Sequence, residues 1–238
     1  MKRRLKTPFD RTTDVRMPWT LDLAETFKKT YGFDILDYLP EISYDLPDGK
    51  PSYARYAYFD HTTERFVEAF GDYYADYCEK YGINMTGHIL FEDSLSQQAF
   101  SVGECMRFYR KMQWPGIDVL VDCRLYTTAK QTQSMVHQYG KEAMASELYG
   151  VTGWECRFMD YKSQGDWQAA HGVTVRVPHL AWLSMRSTGK RDYPASIGAQ
   201  SPWYKEFWLI EVLFERLNTV LTRGKPVVNV AVIHPIES

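Results

Sequence analysis

The chain has 238 residues, a formal net charge of -2, 15% aromatic residues with 17 Tyr and 7 Trp, and four cysteines. That length suits one barrel-sized domain or one and a half smaller ones. The near-neutral charge offers no basic stripe for nucleic acid, and no apolar run approaches the roughly 20 residues of a membrane span.

Residues 1–18 are polar and irregular. Pro18-Trp19-Thr20 opens a helix in which Leu21, Leu23, Ala24 and Phe27 recur at helical spacing, ending near Tyr31-Gly32. Phe33–Leu39 reads as a short helical or turn element stopped by Pro40, and 44–53 as a loop. A long amphipathic helix is expected from His61 to Tyr81, closed by Gly82. Asn84–Phe91 then reads as a strand and Ser94–Met112 as a helix ended by Pro115-Gly116. Ile117–Val121 is a short apolar strand of the kind buried in a parallel sheet. Thr127–Tyr139 follows as a helix, Ala145–Leu148 as a strand, Asp166–Ala170 as a short helix and Gly172–Pro178 as a strand. After an irregular stretch at 184–202, Trp203–Leu221 is helical and Val227–Ile233 a very apolar strand.

Alternation of strand and helix means βαβ units on a parallel sheet. Four strands fall within 84–178, whereas a closed barrel needs eight. The expected fold is therefore α/β: the second half of a (β/α)8 TIM barrel over residues 1–200. Residues 201–238 would then hold a linker helix and the first strand of an accessory α/β domain.

The segment Ala143–Gly150 carries a glutamate, Glu147, at the C-terminal end of its strand, followed closely by Gly153-Trp154. Barrel active sites lie at the C-terminal ends of the strands, and glycoside hydrolysis canonically uses two carboxyl groups across the scissile bond. Glu147 is the candidate catalytic carboxylate, and the Trp154 indole offers a flat apolar face to a sugar ring. A surface Glu in a tight loop is the plainer explanation.

His88, Glu92, Asp122 and His179 end or follow predicted strands and are the candidate substrate-binding residues. Two have a structural alternative: His88 as a satisfied core histidine, and Glu92 as an acid at a helix N-terminus. Asp118 and Asp122 flank one strand, and Asp122, at its C-terminal end, is the better placed of the two. Asp93, Gln97, Gln98, Glu155 and Asp160 read better as solvated or capping groups. His171 precedes its strand and belongs on the opposite, stabilising rim. Tyr193, Trp203 and Tyr204 could border a pocket or pack at a domain junction.

Glu92 or Asp93 could ligate a cation, with calcium the candidate; no other cofactor is implied. There is no GxGxxG, GxxxxGK[ST], HExxH or GxSxG motif. The cysteines, Cys78, Cys105, Cys123 and Cys156, form no CxxC pair and read mostly as buried thiols. The N-terminus lacks the apolar core of a signal peptide, which leaves open an exported parent protein.

Several segments together resemble the α-L-rhamnosidase-type glycoside hydrolases, relatives of the β-galactosidase-like (β/α)8-barrel enzymes. They are Thr86-Gly87-His88, the Ser146–Gly150 and Gly153-Trp154 run, Lys190-Arg191-Asp192-Tyr193-Pro194, and Val230–Pro235. The resemblance covers nearly the whole chain. It implies hydrolysis of O-glycosidic bonds in plant-type oligo- or polysaccharides, and a flavodoxin-like domain opening at 227–233. It also implies a second catalytic carboxylate on an earlier strand, which no Thr-Asp-Glu-Pro-like run here supplies. The alternative is a non-catalytic carbohydrate-binding or interaction remnant of such a barrel. A half barrel with open sheet edges is expected to self-associate.

Overall fold

Residues 17–186 and 197–236 are described by the computed structural model of this chain. The Lys190–Pro194 segment of the resemblance, with Tyr193, lies outside them.

Helix α1 (Leu23–Tyr31) buries Leu23 and Phe27, and Gly32, at φ +81°, closes it. A single 3-10 turn (Ile35–Tyr38) leads into α2 (Leu39–Ser43). Pro40 thus starts a helix instead of stopping one, because its missing N–H lies among the donors a first turn leaves unpaired. Helix α3 (Tyr53–Phe66) begins earlier than the apolar stripe suggests. Ser52 caps it, its hydroxyl accepting the Arg55 amide at 3.1 Å, and the Arg55 side chain ties back to the Glu41 and Tyr44 carbonyls. A π turn (Val67–Asp72) joins α3 to α4 (Tyr73–Lys80). Leu23, Phe27, Ile35, Ile42, Ala54, Ala57 and Tyr58 form a core made of helices alone.

Strands β1 (Thr86–Gly87), β2 (Trp114–Val119), β3 (Ala145–Leu148) and β4 (Val175–Pro178) form one parallel sheet in sequential order, curled as half of a barrel. The α/β class and the number of strands agree with expectation, but the strand expected over Asn84–Phe91 shrinks to two residues and that expected over Ile117–Val121 starts earlier, at Trp114. Helices α5 (Leu95–Ser101) and α6 (Cys105–Tyr109) connect β1 to β2, α7 (Tyr126–Gln138) connects β2 to β3, and α8 (Phe158–Ala170) connects β3 to β4. Ile117, Val119 and Met144 pack with Ala129 of α7 and Val173, which defines the outer, helix-covered face. By strand alternation, Asp118 and Glu147 turn to the inner face.

Four further elements differ from expectation for physical reasons. The helix expected over 94–112 splits into α5 and α6, because the amides of Val102 and Gly103 both fold back to the Gln98 carbonyl. Pro115-Gly116 begins β2 instead of ending a helix. Neighbouring β1 is only two residues long, so proline's missing donor costs little, and an added Cβ at Gly116 would stand 2.6 Å from the Gly87 carbonyl oxygen. The helix expected as a linker, α9 (Trp208–Leu221), is part of the sheet's own packing. Its Ile210 and Phe214 bury against Leu148, Tyr149, Cys156 and Tyr161. Finally, 227–233 forms no strand: Val227, Val228, Val230, Val232 and Ile233 are all exposed, Val227 at 85%. A β-prone run without a hydrogen-bonding neighbour has no ladder to join.

The four thiols are unbridged. Cys105 and Cys156 are buried, Cys78 is half-buried and Cys123 exposed. No described helix is long and apolar enough to cross a membrane.

Candidate functional site

Parallel strands bring their C-terminal ends to one rim, and four titratable side chains converge there. His88 follows β1, Asp118 lies in β2, Glu147 in β3, and His179 follows β4. Asp118 and Glu147 are direct register partners. His88 Nε2 lies 3.5 Å from Glu147 Oε2 and 4.0 Å from Asp118 Oδ2, and His179 Nε2 lies 3.8 Å from Glu147 Oε1. The His179 amide donates to the Leu148 carbonyl at 2.7 Å, extending the β3–β4 ladder and fixing the imidazole beside Glu147.

Burial holds the Asp118 carboxyl above the ordinary Asp value. The positive charge His88 would carry opposes this, and the neighbouring Glu147 carboxylate adds to it. Asp118 Oδ1 and His179 Nδ1 are buried without a hydrogen-bond partner inside the protein. Polar atoms in that condition are costly unless something else satisfies them.

The loops that leave the first three strands are strained. Phe91 (φ 59°), Val121 (φ 48°), Tyr149 (φ 69°) and Val151 (φ 61°) adopt left-handed backbone conformations, and among the described residues only Asp48 is another non-glycine that does. Each such residue costs on the order of 1–3 kcal/mol, and valine is especially ill suited. Strain of this kind clusters at functional sites, and here it follows β1, β2 and β3 in turn.

Of the residues expected at the site, the structure brings together His88, Glu147 and His179. Trp154 lies half-buried in the loop after β3. Asp122 stands apart: it is 70% exposed and ion-paired with Arg124 at 2.7 Å. Its neighbour Asp118 takes the place beside Glu147. The sequence carried the signal, since Asp118 sits between Ile117 and Val119, two residues that strand alternation sends to the helix layer.

Glu92 is not a substrate contact, being only 3% exposed. Its Oε1 accepts the Asp118 amide at 2.8 Å and its Oε2 accepts the Tyr109 hydroxyl at 3.0 Å. Burial pushes its carboxyl up to about 8; the hydrogen bonds from Asp118 and Tyr109 offset part of this, and the negative charges of Asp118 and Asp93 add to it. Each of its carboxyl oxygens is thus engaged by a protein donor. Among the described residues no group of three or more His, Cys, Asp and Glu is arranged to hold a metal ion.

His171 falls at the other end of β4, at the close of α8. There its ring lies tilted against Trp167 with centroids 4.4 Å apart, and its Nδ1 meets the Trp167 carbonyl at 2.7 Å. Ser94 caps α5, Asp160 pairs with Arg157 at the start of α8, and Gln98 is buried.

No protein family, curated protein or solved structure matches this chain. The likeness to rhamnosidase-type hydrolases rests on the sequence segments alone.

Proposed function

We propose that this rim cleaves O-glycosidic bonds, with Glu147 and Asp118 as its carboxylate pair, on a sheet that is the second half of a (β/α)8 barrel. The observation that carries the reading is that two in-register carboxylates on neighbouring strands both reach His88 Nε2, within 4.0 Å. Burial and the Glu147 charge favour the protonated form of Asp118, which suits a general acid. Glu147, steadied between His88 and His179, serves as the second carboxylate. Dividing acid and base roles between two carboxyls of different environment is the usual solution for this chemistry. Asp118 thus fills the role that the missing Thr-Asp-Glu-Pro-like run left open. Trp154 supplies an apolar wall, and the resemblance directs the substrate choice toward plant-type rhamnosides and galactosides.

The test is release of nitrophenol from aryl α-L-rhamnosides and β-galactosides by the 238-residue chain, beside its Glu147→Gln and Asp118→Asn variants. Turnover is expected to be slow, because half a barrel supplies half of the sugar-binding walls. It should fall by about 10²–10⁴-fold in either variant. A wild-type rate equal to that of both variants removes the reading.

A further inference from the structure

Glu92 occupies an unusual place. It lies four residues after His88, in the same loop leaving β1. His88 faces the Asp118 side chain from the front, at 4.0 Å, while Glu92 grips the Asp118 main chain from behind, its Oε1 accepting the amide at 2.8 Å. One loop therefore holds Asp118 on both sides.

The grip is itself immobilised. The Glu92 carbonyl accepts from Gln98 Nε2 at 3.0 Å, Gln131 Nε2 at 3.2 Å and Thr128 Oγ1 at 3.4 Å, while Tyr109 donates to the other carboxyl oxygen. The ionisable groups facing the carboxyl are Tyr109 and Cys105 of α6, Asp118 of β2 and Asp93 beside it in the loop. Helices α5 and α7 present only the uncharged Gln98, Gln131 and Thr128. None of the groups acting on the carboxyl is a cation, so it is not there as half of an ion pair. A buried carboxyl costs several kcal/mol to desolvate, and an uncharged glutamine could equally accept the Asp118 amide and meet the Tyr109 hydroxyl. Stability alone gives no reason for an acid at this position.

We infer that Glu92 is the positioning residue of this site: its carboxyl fixes the β2 backbone at Asp118 and so sets where the Asp118 carboxylate stands between His88 and Glu147. This rests on the reading of Asp118 and Glu147 as the working pair, but it is tested without turnover.

The experiment follows the Asp118 amide and carboxyl resonances by NMR across pH in the wild type, Glu92→Gln and Glu92→Leu. The glutamine amide oxygen can still accept from the Asp118 N–H, so Glu92→Gln should keep the amide shift and the Asp118 titration midpoint. Leucine cannot accept. In Glu92→Leu the amide should lose its hydrogen-bonded shift, and the Asp118 midpoint should fall toward the ordinary value of 3.8 as the side chain loses its enclosure. Thermal stability should hold in Glu92→Gln and fall in Glu92→Leu, which leaves the Asp118 amide and Tyr109 hydroxyl unpaired. A purely structural acid predicts the same loss of stability with an unmoved Asp118. Tyr109→Phe, which removes the other anchor of the carboxyl, should move Asp118 in the same direction by less, and it serves if the leucine variant does not fold. An Asp118 midpoint common to all variants overturns the inference and leaves the hydrolase reading standing. A responsive Asp118 in a chain without glycosidase activity does the opposite.

Discussion

Asp118 and Glu147 are register partners across β2 and β3, and a single imidazole nitrogen, His88 Nε2, lies 4.0 Å from one and 3.5 Å from the other. Groups that act as one unit lose their effect together, not additively. The Asp118→Asn/Glu147→Gln double variant should therefore be about as slow as either single variant. Because burial holds Asp118 above its ordinary value, kcat/KM should decline as pH rises through its titration, and Asp118→Asn should lack that high-pH limb. Multiplicative losses, or an unchanged profile in Asp118→Asn, would separate the two residues.

Glu92 predicts a pH-dependent stability. Its carboxyl titrates at about 8 in the folded chain against an ordinary 4.5. Between these values the folded state keeps a proton that the unfolded chain has released. Stability therefore falls as pH rises across that window, by at most roughly 1.4 kcal/mol per pH unit, and levels off above it. Glu92→Gln has no such proton. Urea midpoints of wild type and Glu92→Gln should draw apart from pH 5 to pH 8, with the variant gaining. Curves that stay parallel would mean that Glu92 ionises normally.

Gly165 in α8 meets Phe214 of α9 so closely that an added Cβ would stand 2.1 Å from the ring. Alanine would gain about 1 kcal/mol in helix propensity. Overpacking costs about 1–3 kcal/mol, and the ring has little room to retreat because the Arg176 guanidinium lies 3.8 Å over it. Gly165→Ala should thus be net destabilising in urea, with Phe214→Leu in the same background recovering part of the loss. A gain in stability from Gly165→Ala alone would show that α9 is free to move away.

The run Val227–Ile233 should drive self-association. Exposed β-prone segments without charge pair with other chains, and Val230 and Val232 are 76% and 85% exposed. Val230→Asp with Val232→Asp should shift the sedimentation profile toward monomer without altering the thermal melt. An unchanged profile would move the association surface to the open sheet edges.

Much of the sheet was legible because period and length speak plainly in short apolar runs. Ala145–Leu148 matched strand β3 to the residue, and placing Glu147 at its end followed directly. Reading beyond strand ends was less secure. Asp122 looked better placed than Asp118 because position along the chain was weighed above the face a side chain takes, and alternation decides the face. Glu92 looked accessible because nothing local shows that Gln98 folds back onto it and that Tyr109 and Gln131, distant in sequence, close over it. For Val227–Ile233, composition expressed strand preference faithfully, but a strand is a relation between two segments, and one run cannot state whether its neighbour exists.

The helical core around Phe27 and Tyr58 shares no residue with the cores that back the sheet. Alongside the packing of Val67 and Phe108, an ionic seam binds the two parts. Arg107 pairs with Asp60 at 2.8 Å, and Arg110 pairs with Glu64 at 2.7 Å and Asp72 at 2.6 Å. Two oily masses joined in part by charge make a joint that dissolved ions can soften, since only its partly exposed pairs are screened. At high ionic strength the N-terminal helices should exchange their amide hydrogens sooner than the sheet does, as a separately opening unit. The rim carrying Glu147 would then keep its shape while the helices beside it loosen.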